Sequence, residues 1–293
     1  MMWKLDEIHY FCHPETEIRE TMAIITLTSD WGHSDYYSAA VKGVILSQLP
    51  NATIVDITHE IAAFNTIDAG FVVKHCFRNF PAGTIHIIAV DTIESADVPH
   101  VVVKAEGQYF ISADNGVFRQ ILDDFEEAVE INVMQDSDSF NFPARDRFAK
   151  VAVMIAKGVP LSEIGPKRET LRGAEFCAVV RDDSIEGIVI HIDSYGNLIT
   201  NITKADFYQA RRGRDFTIFV KGRLYTINKI SDSYLDVTET ADLVAIFGSH
   251  DNLEIAMREA PIASLCGIEF RSPIRVVFHE KFEPEPPQIG SLF

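Results

Sequence analysis

The sequence predicts an α/β protein made of an N-terminal α/β domain, with a largely parallel sheet, and a smaller C-terminal β-barrel domain. Between residues 22 and 172, strand-like runs alternate with helix-like runs, as in sheets covered by helices. From 173 to 279 the pattern changes to short strand-like runs separated by turns, which favours a barrel or sandwich. With 47% hydrophobic residues, the chain of 293 residues has enough apolar side chains for a sizeable core.

Apolar, β-branched runs predict the strands of the first domain. The run from Thr84 to Val90 is nearly continuous, as expected for a strand covered on both faces. The predicted strands are Ile24–Thr28, Ile54–Ile57, Thr84–Val90, Val101–Ala105 and Tyr109–Ala113. Helix-like patterns between them predict helices over Thr66–Asn79, Val117–Phe125 and Phe148–Gly158.

The sequence pattern of the second domain predicts short strands and little helix. The predicted strands are Gly187–Ile192, Asp215–Val220, Arg223–Ile227, Leu243–Phe247 and Ile274–Phe278. One further stretch, Asn252–Arg258, has a helical pattern. Residues 1–21 are polar and irregular, and are either an additional arm or the result of a start placed upstream of Met22. Residues 280–293 combine prolines with acidic side chains and are predicted to be disordered.

The charge and the cysteines limit the possible partners. A formal net charge of -17 repels phosphate backbones, so we expect no nucleic acid partner, whereas a cationic small molecule is favoured. No apolar run approaches the ~20 residues of a membrane span, so no membrane association is expected. The four cysteines have no CxxC spacing, and the N-terminus lacks the apolar core of a signal peptide. These features predict a cytoplasmic protein without a zinc site or a disulfide framework.

The most informative segment runs from Thr26 to Asp35. A buried strand leads into a polar turn and then a helix, which places the turn at the carboxyl edge of the sheet, where α/β proteins bind ligands. Asp30 and Asp35 lie in this turn, and their carboxylates suit ribose hydroxyls or an ammonium group. The structural alternative is a turn held by Asp30 and a helix cap made by Ser34 or Asp35.

Several other polar segments follow predicted strands. Asp91 follows the Thr84–Val90 run, so it either caps a turn or faces the same crevice as Asp30. Asn115-Gly116 is explained fully by a turn. Phe142 is either a core residue or a ring facing a ligand, with the core favoured by position.

Further candidates lie beside or after these segments. Arg145 and Asp146 are expected to form a structural ion pair. Asp193, Tyr195 and Asn197 form a turn that also offers a carboxylate, a ring for stacking and an amide that can bind a base edge. Ser249 follows another strand and is interpreted as a possible helix cap. There is no P-loop, GxGxxG, GxSxG or HExxH motif, so metal and nucleophilic-serine chemistry have no support.

Taken in order, these segments resemble one family, the S-adenosylmethionine-dependent fluorinases, chlorinases and hydroxide adenosyltransferases. The resemblance runs from about Met22 to Phe278. The matching segments are Thr28–Gly32 with Lys42 and Gly43, Ala113–Gly116, Pro160–Gly165, Asp193–Asn201, and Ser249 with Leu253–Ala256. The resemblance implies a homotrimer, with a nucleoside ligand between the N-terminal domain of one subunit and the C-terminal domain of its neighbour.

The resemblance also implies a role for each candidate residue. The residue matching Asp30 holds the ribose hydroxyls. The methionine part is held by the residues matching Asp35, Asp193 and Ser249. The adenine is held by those matching Tyr195, Asn197 and Tyr234, and the pocket walls are those matching Phe64 and Phe142. No cofactor and no metal are implied, because S-adenosylmethionine is itself the substrate. Its sulfonium cation suits carboxylates and aromatic faces.

The implied chemistry is an in-line displacement at the ribose C5′ atom, with methionine leaving. In the hydroxide-transferring members an Asp, an Arg and a His position and activate water. Asp91 matches this Asp, whereas Val98 and Pro143 stand at the Arg and His positions. Ala144 replaces the serine of the fluorinase, and a negative charge at Glu94 disfavours a halide.

Two hypotheses follow. The first is an S-adenosylmethionine hydrolase that forms adenosine and L-methionine, with Asp91 orienting water and Glu94 as a replacement base. The second is a protein that binds S-adenosylmethionine or adenosine and has lost the chemistry. A side chain from Glu94, His33 or His100 that reaches Asp91 and the C5′ position would favour the enzyme, and a dry site that holds only Asp91 would favour the binding protein.

Overall fold

A computed structural model describes residues 22–134, 141–173 and 176–280. The expected extension at residues 1–21 lies outside this range, as does the expected tail from residue 281 onward. The described residues form an α/β half followed by an antiparallel, barrel-like half, which confirms the predicted fold class.

The first half is built on a six-stranded sheet. Its strands are β1 (Ile24–Ser29), β2 (Thr53–Thr58), β3 (Ile85–Ala89), β4 (His100–Ala105), β5 (Gln108–Ala113) and β6 (Glu127–Glu130). The order is β2-β1-β3-β5-β4-β6. Strands β2, β1, β3 and β5 are mutually parallel, whereas β4 pairs antiparallel with β5 and β6. The predicted strands of this half are therefore confirmed, and the carboxyl ends of β1 and β3 are adjacent.

Helices cover both faces of this sheet. They are α1 (Tyr37–Gln48), α2 (Thr66–Lys74), a 3₁₀ turn (Phe77–Asn79), α3 (Val117–Ile121), a π-helical turn (Ala144–Phe148), α4 (Ala149–Ala156) and α5 (Leu161–Ile164). One face packs against α1 and α4, and the other against α2 and α3. Alternate residues of β3 pack on opposite faces of the sheet, with Ile87 on the first face and Ile88 on the second.

The second half is a curved antiparallel sheet. Its strands are β7 (Val179–Val180), β8 (Ser184–Ile192), β9 (Leu198–Thr203), β10 (Phe216–Val220), β11 (Tyr225–Ile227), β12 (Leu243–Phe247), β13 (Asn252–Met257) and β14 (Pro273–Phe278). The order is β11-β10-β14-β8-β9-β13-β12, with β7 beside β8. Helices α6 (Lys204–Arg211) and α7 (Ile262–Cys266) and a 3₁₀ turn (Tyr234–Asp236) complete it.

Three helix predictions need correction. The helix expected over Asn252–Arg258 is wrong, because this segment is strand β13, whose alternate residues Leu253 and Ile255 enter the barrel core. The helix expected over Val117–Phe125 ends at Ile121, and the helix expected over Thr66–Asn79 ends at Lys74. In β13 the pairing with β9 and β12 outweighs a local pattern that also suits a helix.

The two halves meet through helix α2. Ile67 of α2 packs with Ile190 and Ile199 of the barrel. Beside this cluster, the Nδ1 atom of His191 lies 2.5 Å from the Oδ1 atom of Asp68. Apolar packing and one polar pair therefore fix α2 against the barrel within a single chain.

A buried polar network crosses the middle of the first sheet. The Nδ1 atom of His86 accepts a hydrogen bond from Thr26 Oγ1 at 2.7 Å, and its Nε2 atom donates to Gln108 Oε1 at 2.7 Å. This assignment follows from the amide oxygen, which can only accept. Burial lowers the pKa of His86 to about 4, so the ring is neutral in the folded protein at neutral pH.

We predict that the protein becomes less stable as the pH falls below 6.5, the pKa of histidine in the unfolded chain. The pKa of His86 falls from 6.5 in the unfolded chain to about 4 in the folded one, so between these values only the unfolded chain binds the proton. The free energy of unfolding should therefore decrease from pH 6.5 towards pH 4. Urea unfolding across this range measures it. In His86→Leu the decrease should be smaller, and an equal decrease would contradict the assignment.

Candidate functional site

The first carboxylate of the site lies where β1 ends. Asp30 follows Ser29, and its Oδ2 atom accepts a hydrogen bond from the backbone N–H of Phe64 at 3.0 Å. Phe64 has a φ of 63°, and its side chain is 68% exposed. The turn interpretation of Asp30 is thus confirmed in part, since the carboxylate holds the neighbouring loop. Its Oδ1 atom accepts no hydrogen bond from a described residue.

Asp35 does not cap the following helix. The N-cap of α1 is Tyr36, which makes no side-chain cap hydrogen bond, so the cap interpretation of Ser34 and Asp35 is wrong. Both side chains are exposed at the same edge as Asp30. Asp35 therefore remains available to a ligand.

An aromatic cluster forms one side of this edge. The Phe142 ring lies edge-on to Trp31 at 5.6 Å and to Tyr37 at 5.2 Å, and only 8% of Phe142 is exposed. Its core interpretation is confirmed. Arg145 lies over the Phe142 ring and forms the expected ion pair with Asp146, with Nη2 2.8 Å from Oδ2. These contacts fix the position of the Phe142 ring at this edge.

Asp91 lies at the carboxyl edge of β3, beside β1. It has a φ of 49°, an unusual conformation for a residue other than glycine. The Nδ2 atom of Asn115 donates to the carbonyl oxygen of Val90 at 3.0 Å and to that of Asp91 at 2.8 Å. Gly116, with a φ of 101°, turns the chain into α3 and keeps Asn115 in place. The Asn-Gly segment is thus a turn, as expected, and in addition it holds Asp91.

A buried arginine lies next to the loop that follows Asp91. The Nη1 atom of Arg147 lies 2.6 Å from Glu94 Oε1 and 3.0 Å from His100 Nδ1. The Nε2 atom of His100 donates to the carbonyl oxygen of Thr92 at 2.9 Å, so Nδ1 is the acceptor for Arg147. Burial lowers the pKa of His100, which keeps the ring neutral beside the guanidinium. Glu94 is therefore ion-paired.

In the second half, Asp193 organises its own turn. Its Oδ1 atom accepts hydrogen bonds from the backbone N–H groups of Tyr195 and Asn197, both at 2.9 Å. Its Oδ2 atom accepts from Asn197 Nδ2 at 3.0 Å. Gly196 has a φ of 80° and lies so close to Pro261 that a Cβ atom would clash at 2.7 Å. The turn leaves the Tyr195 ring 81% exposed.

Tyr234 lines the same cavity as this turn and is hydrogen-bonded to a buried carboxylate. Its hydroxyl donates to Glu254 Oε1 at 2.6 Å, and His250 Nε2 lies 3.3 Å from Glu254 Oε2. Burial and this carboxylate raise the pKa of Tyr234. Burial also raises the pKa of Glu254, but the bonds from His250 and Tyr234 lower it overall. Asp193, Tyr195, Asn197 and Tyr234 line one cavity of the barrel, whereas Ser249 is exposed and is not among its lining residues.

The candidate residues thus form two sets within one chain. Asp30, Asp35, Phe64, Phe142, Asp91 and Glu94 lie at the edge of the first sheet, and Asp193, Tyr195, Asn197 and Tyr234 lie on the barrel. Across the described ranges, no hydrogen bond or ion pair joins the two sets. Each set includes an exposed aromatic side chain, Phe64 in the first and Tyr195 in the second. Within one chain the candidate residues therefore occupy two separate polar and aromatic surfaces.

Arg147, His100 and Glu254 carry polar contacts beside the candidate residues, and no sequence motif marks them as a group. A signal existed for each, because His100 begins and Glu254 interrupts an apolar strand, and Arg147 precedes the apolar helix α4. A charged residue within such a run is buried only with a partner. The identity of the partner depends on the tertiary fold.

This combination of an α/β half and a barrel half is that of a known class. The chain matches the SAM hydroxide adenosyltransferase N-terminal domain over residues 25–165 and the SAM hydroxide adenosyltransferase C-terminal domain over residues 187–275. The protein belongs to the SAM hydroxide adenosyltransferase family.

Individual relatives agree with this assignment. The chain is 28% identical to the (R)-S-adenosyl-L-methionine hydrolase of Methanocaldococcus jannaschii, over 88% of this chain and 97% of that protein. It is 25% identical to a fluorinase of Actinoplanes sp., over 82% and 92% of the two chains. A crystal structure of an uncharacterized conserved protein from Thermotoga maritima superimposes with a TM-score of 0.76 at 28% identity, covering 87% of this chain and 99% of that one.

Throughout the part of the chain that the structure describes, no group of three or more His, Cys, Asp or Glu residues is arranged to hold a metal ion. The same ranges contain no helix that is both long and apolar enough to cross a membrane.

We predict that Asp193 stabilises the folded barrel. Asp193→Ala removes the acceptor for three hydrogen bonds, and we expect a loss of roughly 1–3 kcal/mol in the free energy of unfolding, measured with urea. Asp193→Asn is the matched control, because its amide oxygen can still accept the backbone hydrogen bonds. Equal stability of the two variants would contradict this role.

Proposed function

We propose that this protein is an S-adenosylmethionine hydrolase that forms adenosine and L-methionine by displacement at the ribose C5′ atom. The observation that carries the proposal is the position of Asp91, whose backbone carbonyl is bound by Asn115 and whose carboxylate lies at the sheet edge that also carries Asp30. The family and the relatives named as hydrolases support the same reaction. The proposed reaction needs no cofactor, because the substrate carries its own leaving group.

The substrate would contact both sets of residues. Asp30 would accept hydrogen bonds from the ribose hydroxyls, since its Oδ1 atom accepts none from the described residues. Tyr195, Tyr234 and Asn197 would hold the adenine by stacking and hydrogen bonding. Asp35 and Ser249 would hold the methionine part, with Asp193 acting mainly by shaping its turn. The net charge of -17 also attracts a sulfonium cation.

The chemical step requires a water molecule in line with the breaking bond. The water oxygen forms a bond to C5′ while the bond between C5′ and sulfur breaks, and its electron pair stays on sulfur. The water loses one proton, which Asp91 accepts and returns to solvent. Methionine leaves as a neutral thioether, so the step needs no acid at the leaving group.

We further propose that the site is completed between subunits of a cytoplasmic homotrimer. No hydrogen bond or ion pair joins the two residue sets within the described part of one chain, and Phe64, Tyr195 and Tyr234 are 68%, 81% and 45% exposed. Rings of this size are commonly buried at interfaces or under ligands. Cysteines without disulfide spacing support the cytoplasm as the location.

We predict that Asp91→Asn removes most of the activity. An amide cannot accept the proton of water, so the rate of adenosine formation should fall by about 10²- to 10⁴-fold. Chromatography of wild type and variant, incubated with S-adenosylmethionine with and without chloride, measures adenosine and 5′-chloroadenosine. Asp97→Asn is the control, because Asp97 is an exposed carboxylate of the same loop.

Each outcome of this experiment is informative. Adenosine without 5′-chloroadenosine from the wild type, lost only in Asp91→Asn, supports the hydrolase. Formation of 5′-chloroadenosine would contradict water as the nucleophile. A wild-type protein that binds adenosine but forms none from S-adenosylmethionine would favour the binding protein. That hypothesis rests on Val98 and Pro143, which stand where the resemblance places an arginine and a histidine.

We predict that inactive variants from the two sets complement one another. Asp30→Ala and Tyr234→Ala alone should bind adenosine weakly and be inactive. In co-expressed mixed trimers, roughly a quarter of the interfaces would combine two intact sets, because each site draws on two subunits. Recovery of activity to this level supports the shared site. A mixture as inactive as its components, or light scattering that shows a monomer, would contradict it.

A further inference from the structure

Arg147, Glu94 and His100 form a polar cluster in which the guanidinium of Arg147 is only partly hydrogen-bonded. Arg147 lies in the π-helical turn Ala144–Phe148, and its side chain is 11% exposed. Turns of this kind often occur at functional sites. Burying a guanidinium is costly unless its hydrogen bonds are satisfied, so the unused donors of this group are informative.

Only one nitrogen of this guanidinium is engaged. Nη1 contacts Glu94 and His100, whereas no described residue accepts a hydrogen bond from Nε or Nη2, and Nε is fully buried. Nε and Nη2 together form the edge with which arginine binds a carboxylate through two parallel hydrogen bonds. The cation is thus held on its Nη1 side, by Glu94 and His100, and its other edge has no acceptor among the described residues.

His100 and Arg147 also contact the loop that follows Asp91. His100 binds the carbonyl of Thr92, the residue after Asp91, and Arg147 binds Glu94 in the same loop. The loop then closes on itself through Ser95 and Val98, whose backbone groups exchange two hydrogen bonds of 3.1 Å. Arg147 therefore fixes the loop from one side, while Asn115 fixes it at Asp91 from the other.

From this geometry, and resting on the proposed function, we infer that Arg147 is the positioning residue for Asp91 and the attacking water. It supplies, from the π-helical turn, the positive charge that is absent from position 98, where the resemblance places an arginine. Glu94 and His100 hold the guanidinium and are not the base: Glu94 is ion-paired, and the Nδ1 lone pair of His100 is taken by Arg147. The proton of water still passes to Asp91, and no other bond changes.

The test is a set of substitutions at Arg147 assayed for adenosine formation. Arg147→Met keeps the aliphatic stem and removes the charge, so kcat should fall by at least about 100-fold while KM and adenosine affinity change little. Arg147→Lys should recover part of this loss. Adding Val98→Arg to Arg147→Met should also raise kcat, because it returns a cation to the loop. Arg78→Met, which removes an exposed arginine paired with Glu106, is the control for loss of an ion pair.

Two readouts separate positioning from a merely structural role. A positioning role predicts a fall in kcat at nearly constant KM in Arg147→Met, with partial recovery in Arg147→Lys. Neither kcat nor KM should change in Arg78→Met. Circular dichroism and thermal unfolding establish that the variants are folded.

Two results would overturn the inference. One is an unchanged kcat in folded Arg147→Met. The other is a loss of kcat that accompanies loss of folding and of adenosine binding, without recovery in Arg147→Lys or with Val98→Arg. Both leave the proposed function intact as long as the wild type forms adenosine. A wild type that forms no adenosine would overturn the proposed function and this inference together.

Discussion

The hydrogen bonds from the Asn115 amide to the carbonyls of Val90 and Asp91 determine how the site is built. Strand β3 ends at Ala89, and without these bonds nothing in the strand itself would dictate the direction of the chain beyond it. With them, Asp91 takes a left-handed conformation with a φ of 49°, and the loop turns towards β4 and the π-helical turn. Such a conformation costs on the order of 1–3 kcal/mol and persists only where surrounding contacts enforce it. The position of Asp91 and the cluster around Arg147 are both consequences.

A second constraint is that each half of the chain uses its polar groups to shape a turn before any ligand binds. Asp30 holds the Phe64 loop with Oδ2, and Asp193 holds its own turn with both oxygens. A carboxylate that is already hydrogen-bonded has a fixed orientation, so little conformational entropy is lost when a ligand binds. In the proposed trimer, two such pre-formed surfaces would meet, and neither would need to rearrange.

The sequence predicted the fold well where hydrophobic patterns are long and one-sided. Strand β3 was predicted from a nearly continuous apolar run, which the structure buries on both faces, and the barrel was predicted from its short strands. Strand β13 was mistaken for a helix, since Leu253, Ile255 and Ala256 suit both patterns and only pairing with β9 and β12 distinguishes them.

The candidate site was predicted less completely than the fold. The aspartates at strand ends could be located by position, because strand ends mark the ligand edge of such sheets. The partners of those aspartates could not, since Arg147 and Glu94 lie 53 residues apart in the chain and meet only in the folded protein. The expectation that Glu94 adds an uncompensated negative charge rested on its position alone, and the structure pairs it with a cation. The assignment of roles to individual site residues stays a prediction.

The pairing of Glu94 bears on why water, and not a halide, would be the nucleophile. Glu94 is paired with Arg147, whereas the carboxylate of Asp91 forms no ion pair with a described residue. A carboxylate repels an anion and at the same time accepts a hydrogen bond from a neutral water, so it acts in opposite directions on the two nucleophiles. Arg147 alone would attract a halide, but its charge is paired with that of Glu94. In the proposed reaction, selection of water would therefore rest on the carboxylate of Asp91.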